Sequence, residues 1–458
     1  MTAVDNTLDL IDQASFLGLR ALGHGPLIQY TWTYRNGVDM EGLRRFRDNL
    51  AHGLLGRRIE RSPLPFGRHR WVDWPGPADI EVARVARPAS EITEWLDEKG
   101  LSSLDPEHGP SWRLAVQPLV EGGAVVTLVV SHTVGDGVGI ALAVADAANG
   151  VTRDLGYPPP GTRTRIQAVR QDARRFLRDI PAMGKALAAA VALARNNDLA
   201  GAASNPKAAS NPKAASNPKN AVGAGVARDG DREVVLPSVT VRIDGEHWDA
   251  RAAELGGTAM SLALAFSARL GRRLGWVAPD GSVVLSVPVN ERVEGDTRGN
   301  ALTGVRLTVD PATVQADLSG LRAGLKTALS TLADARHELL APLPLTPMVP
   351  KALARRLEGV VGGTAVIGCS NLGKLDPAVN RPDGTEADFL AIRMVEHITL
   401  DHLRRFGGTF FPVVFGRVHG AQFVSIGYCD ADGSTTREEL AAVTGEVLDD
   451  FGLTGAIE

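Results

Sequence analysis

The chain has 458 residues, 44% of them hydrophobic and 22% charged, with a formal net charge of -4. That length suits two or three domains, or two large lobes sharing one interface, and the composition excludes global disorder, a collagen and a disulfide scaffold. A nucleic-acid binder carries a basic excess that is missing here, and the two cysteines, Cys369 and Cys429, are far apart and lack metal-ligand spacing. The opening MTAVDNTLDLIDQ has no basic region ahead of an apolar run. No uncharged apolar run reaches the ~20 residues that cross a bilayer. A cytoplasmic protein, peripheral to the membrane at most, is expected.

Ile28, Tyr30 and Trp32 alternate with Gln29, Thr31 and Thr33, which predicts a half-buried strand. A helix follows, capped by Asp39, with Leu43, Phe46, Leu50 and Leu54 on one face. The run AVVTLVV (124–130) is short, β-branched and apolar throughout, as in a strand buried on both faces. After a polar, glycine-containing turn, VGIALAVADAAN reads as a buried helix.

The next segment, IQAVRQDARRFLRDIPAMGKALAAAVALARNN, carries Arg170, Arg174, Arg175, Arg178 and Lys185. It reads either as a connecting helix with its arginines in water or as a helix lying on an anionic membrane surface. Pro181 and Gly184 are expected to break the continuous face the second reading needs. From Ala202 the hexapeptide AASNPK occurs three times, a composition that cannot bury enough apolar surface to offset ordering entropy. It reads as a tether. The expected division is an N-terminal lobe over 1–165, a connecting helix and linker over 166–228, and a C-terminal lobe over 229–458.

The second half repeats the theme. Val239, Val241 and Ile243 alternate, MSLALAFSARL is helical, VVLSVPV (283–289) is a buried strand and GVRLTVD alternates again. Leu318, Leu321, Leu325, Leu329 and Leu332 mark an amphipathic helix. Strands are expected near VIGCS, FPVVFG and QFVSIG, then a last helix with Leu440, Val443, Val447 and Phe451 inward and Thr435 or Thr436 opening a capping box. Alternating strands and helices in both halves give an α/β or mixed-sheet α+β class. LLAPLPLTPMVPKALARR is too proline-rich for a long helix; it lines an acyl entrance or packs as a loop. His397, Asp401 and His402 have near-metal spacing without a second cluster and read as a polar face.

The chemistry lies in Ser131-His132-Thr133-Val134-Gly135-Asp136-Gly137, directly after the AVVTLVV strand. The strand delivers His132 to its carboxyl end, Gly135 and Gly137 permit a tight turn, and Asp136 folds back on the loop. A neutral imidazole there can deprotonate a hydroxyl or amine near neutral pH; a satisfied core histidine at a strand end is the plain alternative. HTVGDG resembles the HxxxDG motif of the CoA-dependent acyltransferase superfamily. Its members include peptide-synthetase condensation domains, polyketide-associated acyltransferases and bacterial wax ester synthase/diacylglycerol acyltransferases. GPSWRLAVQPL, SVPVNERVEGDTRGNALTGVRLTVD and CSNLG are similar to further blocks of the last group, in order.

The resemblance implies two chloramphenicol-acetyltransferase-like lobes with a tunnel between them. It implies His132 as general base, and Asp136 in a bidentate pair with Arg292, with Gly137 completing the motif. Ser370 and Asn371 become candidates for the oxyanion. Acyl-CoA is then a substrate with no further cofactor or metal, and an acyl carrier protein is the other possible donor. The acceptor is a small-molecule or lipid alcohol. Amide-forming condensation on carrier proteins, and a degenerate binding protein of the same fold, are the alternatives. Ser131 stands where many relatives carry another histidine, and the wax-synthase Asn-Asp helix motif is absent near 257–261. Wax ester specificity is therefore not carried over.

Overall fold

The computed structural model describes residues 4–77, 79–203, 233–234, 236–332, 340–352, 366–396, 398–400, 403, 411–430 and 433–458, with side chains of the long helix described up to residue 188. The AASNPK repeats beyond residue 203, and His397, Asp401 and His402, lie outside the described residues.

The first half runs α1 (Leu10–Leu22), β1 (Leu27–Tyr34), α2 (Met40–Leu50), β2 (Arg57–Glu60), β3 (Arg70–Asp73), β4 (Glu81–Val82), α3 (Ile92–Gly100), β5 (Trp112–Pro118), β6 (Ala124–Ser131), α4 (Gly137–Ala148) and α5 (Arg165–Ala203). The second half runs β7 (Glu233–Val234), β8 (Ser238–Asp244), α6 (Gly245–Glu254), α7 (Ala259–Arg273), β9 (Val283–Asn290), β10 (Leu302–Val309), α8 (Ser319–Ser330), β11 (Val366–Lys374), β12 (Phe389–Val395), β13 (Ile398–Thr399), β14 (Pro412–Val418), β15 (Ala421–Gly427), α9 (Arg437–Asp450) and β16 (Gly455–Ile457). Of the two large sheets, the first has the order β12-β1-β6-β5-β4 and the second β10-β9-β11-β14-β15-β8-β16, and β2-β3 and β7-β13 form separate two-stranded pairs. Within the second, β11 runs parallel to both β9 and β14. Each sheet has its own core, and Val414, Val418 and Phe423 of the second sheet join the core of the first.

Three expectations change. The first sheet is not built from residues 1–165 alone: β12 pairs antiparallel with β1, Leu27 facing Val395 and Trp32 facing Leu390. The division at residue 229 therefore follows chain order but not the sheets. Next, β1 is not half-buried. Its polar residues Gln29 and Thr31 are buried as well, because α3 and the second sheet cover that face. Gln29 Nε2 donates to Leu96 O (2.9 Å) and its Oε1 accepts from Arg393 Nε (2.8 Å). Arg393 continues to Ser238 Oγ and to Asp97 Oδ1 (2.8 Å), whose other oxygen accepts from Arg437 (2.9 Å). Third, α5 continues through Pro181 as one helix of 39 residues. The proline-rich stretch forms a short 3-10 helix, Leu343–Met348, packed on α1 and α5.

Candidate active site

β6 is buried along its whole length, and its register with β1 sets Ser131 opposite Leu27. His132 follows at the strand's carboxyl end, its backbone N–H donating to Pro26 O (3.0 Å). Asp136 then caps α4: it is extended, and its Oδ1 accepts from Gly139 N at 2.6 Å. Gly135 and Gly137 are not needed for a left-handed backbone, since neither has a positive φ. Space is short instead at Gly135, where a Cβ would lie 2.9 Å from Ile140 Cγ1, and at Gly139, where it would lie 2.7 Å from Arg292 Nη2; at Gly137 the near atom is the movable end of Leu372 (Cδ2, 2.7 Å).

Asp136 and Arg292 meet, both side chains about 4% exposed, through one contact of 2.9 Å between Nη2 and Oδ2. The pair is not bidentate. Asp136 Oδ2 also accepts from Ala301 N (2.7 Å), while Arg292 Nη1 donates to the carbonyls of Arg298 (2.8 Å) and Asp296 (3.3 Å), Nη2 to that of Gly299 (2.9 Å), and Nε is left without a partner among the described residues. Arg292 thus folds the connection between β9 and β10 and fixes it to the start of α4.

That connection reaches the histidine. His132 Nδ1 lies 3.0 Å from Asn300 Oδ1, and Asn300 Nδ2 donates to Asp12 Oδ1 at 3.0 Å. Asp12, fully buried on α1, also accepts from Gly299 N (2.8 Å) and Asn300 N (2.7 Å). A carboxylate can only accept here, so the Asn300 amide must turn its nitrogen to Asp12 and its oxygen to His132. Nδ1 then carries the proton and leaves the Nε2 lone pair open. Burial pushes the Asp12 carboxyl above the ordinary range, opposed by the nearby Arg57 guanidinium and the donated N–H groups. Arg57, also fully buried, stacks 3.9 Å over Trp71 and bonds the carbonyls of Thr297 and Val134 (3.1 Å). Asp12, Asn300 and Arg57 had no role in the sequence reading. Asn300 sits in the VPV block, the one signal that could have found it.

His132 opens onto a cavity of ≈ 80 Å³ that brings together Gly137, Asn290, Leu302, Ser370 and Asn371 from both halves of the chain. Ser370 and Asn371 lie on β11, whose pairing with β14 is irregular beyond Asn371. Asn371 is engaged: Nδ2 approaches the Met260 sulfur at 3.0 Å and Oδ1 accepts from Gly373 N at 2.8 Å. The Ser370 hydroxyl makes no hydrogen bond among the described residues. Their neighbour Cys369 points into the core, and burial pushes its thiol up to about 12, so it is no nucleophile for this cavity. A second cavity of ≈ 600 Å³, walled by Leu142, Val151 and Leu155 together with the charged Asp146, Arg153 and Glu294, shares Val138 and Asn290 with the first. The group among the described residues able to hold a cation, Asp105, Glu107 and His108, is elsewhere and salt-bridged by Arg20 and Arg61.

No family model matches the chain, and no curated protein matches it. Solved structures do. The first condensation domain of the CDA synthetase superposes with TM-score 0.56 over 98% of this chain and 95% of that one, at 15% identity. Polyketide synthase associated protein 5 from Mycobacterium tuberculosis gives TM-score 0.53 over 98% of each chain, also at 15% identity. The nonribosomal peptide synthetase FmoA3 gives 0.53 at 19% identity, with 98% of this chain matched to 44% of that one. The chain is similar to all three in fold.

Proposed function

We propose that this chain, folded as condensation domains and polyketide synthase associated protein 5 are, is an acyltransferase with His132 as its general base. The acyl group comes from a thioester of CoA or of a carrier protein, and the acceptor is a hydroxyl. The observation that carries the reading is the orientation of His132: Nδ1 is committed to Asn300, which Asp12 holds, and Nε2 is left for a proton at a cavity between the lobes. Nε2 takes the acceptor's hydroxyl proton as its oxygen bonds to the thioester carbonyl carbon. The tetrahedral oxyanion is offered the free Ser370 hydroxyl, a better donor than the engaged Asn371. Collapse breaks the carbon–sulfur bond, and the imidazolium returns its proton to the departing thiolate. Asp136 and Arg292 touch none of these atoms; they hold the turn. The larger cavity next door, lined by both aliphatic side chains and charged ones such as Asp146, Arg153 and Glu294, has the size for the acyl chain or the acceptor.

General-base catalysis of this kind contributes roughly 10²–10⁴-fold. His132→Ala should therefore lower thiol release and product formation, across a panel of acyl-CoAs with alcohols, by at least about 10²-fold. Its circular dichroism should be unchanged. Undiminished turnover in the folded variant overturns the reading. Amide formation on a carrier-bound donor is the second reading, supported by the likeness to condensation domains. Product mass with amines in place of alcohols separates the two.

A further inference from the structure

Helix α5 presents three different faces. One holds it to the body of the protein: the Phe176 ring lies 4.5 Å from that of Phe66, and Asp172, almost fully buried, pairs with Arg70 (3.3 Å) and Arg163 (2.9 Å). The second is apolar and bare. Ile166 (72% exposed), Val169, Leu177 (64%), Ile180 and Leu187 (57%) point to solvent. At 100° per residue they fall within a sector of about 80°, in a line about 32 Å long. The third face flanks that line with Arg170, Arg174, Arg178 and Lys185, all exposed, with Arg165 on the other edge. None of these five cations has an ion pair among the described residues. The acidic side chains of this part of the helix, Asp172 and Asp179, turn toward the protein and are held there. Pro181 does not interrupt the row, because the helix passes through it.

We infer that this face of α5 lies in the interface of an anionic lipid bilayer, the aliphatic row among the acyl chains and the flanking cations at the headgroups. Two observations favour a membrane over a folded partner. The row runs about 32 Å along one helix with all five side chains exposed, a length of apolar surface that suits a lipid interface. The charge beside it is of one sign, uncompensated among the described residues, and borne by long side chains that can reach past the apolar level to headgroups. The inference stands apart from the acyl-transfer reading, since its readout is binding.

The test is co-sedimentation of the full chain with phosphatidylcholine vesicles, with and without phosphatidylserine. Partitioning should be at least about tenfold stronger into the anionic vesicles and fall as salt is added. Changing Arg170, Arg174 and Arg178 to Gln should weaken it about fivefold per charge removed. Leu177→Asp with Ile180→Asp should abolish it, and these exposed positions should leave the melting temperature unchanged. Should that variant misfold, the lipid and salt dependence of the unmodified chain decides. Equal binding to neutral and anionic vesicles overturns the inference. So does aspartate-variant binding as tight as the unmodified chain's, or capture of an acidic carrier protein without any vesicle binding.

Discussion

Asn300 does for His132 what no nearby residue in sequence could. Its oxygen faces Nδ1 only because Asp12 engages its nitrogen, and Asp12 is held in turn by two backbone N–H groups of the same loop. Asn300→Ala should lower kcat about 10–100-fold with KM little changed, since the imidazole loses its tautomer and angle while the substrate loses no contact. Steady-state kinetics on the folded variant checks the split; a rise in KM alone would mean that Asn300 binds substrate. The sequence did not disclose this chain of contacts. A buried carboxylate 288 residues away is invisible to spacing, and Asp12 looks like any polar residue of an amphipathic helix. His132 itself was legible because its signal is local: a buried strand, a polar turn and a buried helix in succession.

The elements whose patterns are short-range came out as read. β6, α4 and the capping box Thr436–Glu439 of α9 are where the apolar run, helical periodicity or capping chemistry put them, whereas β9 forms at its expected place but is buried on alternate residues only, not on both faces. β12 was missed. Arg393 interrupts its apolar run, and a buried arginine makes sense only with Gln29, Ser238 and Asp97 in place around it. The connection between β9 and β10 is another element that tertiary contacts define, through Arg292 and Asp136. Asp136→Asn and Arg292→Ala should each cost about 3–5 kcal/mol, because each leaves a buried partner unpaired. The double replacement should cost less than the sum, with a coupling of about 0.5–3 kcal/mol. Denaturant melts of the four proteins measure it, and strict additivity would mean that the observed contact carries no energy.

The two sheets are tied by a strand exchanged between the halves and by the buried network around Arg393. Burial lowers the Arg393 pKa from its usual value while Asp97 opposes the change, so the cation is kept by its partner. Arg393→Ala should destabilise the whole molecule by about 3–5 kcal/mol and leave a single cooperative transition. Calorimetry showing two separate transitions in the unmodified chain would mean that the lobes fold independently. Composition, periodicity and the HxxxDG turn by themselves determined the α/β class, most of the long strands and helices, and the histidine on which the proposed chemistry rests. They could do so because each depends on residues within a few positions of one another. Tertiary structure alone decided the rest. It put β12 beside β1, buried the polar face of β1, set Asn300 against His132 and left one face of α5 bare, since each of these depends on which distant segments the fold brings into contact or leaves without cover.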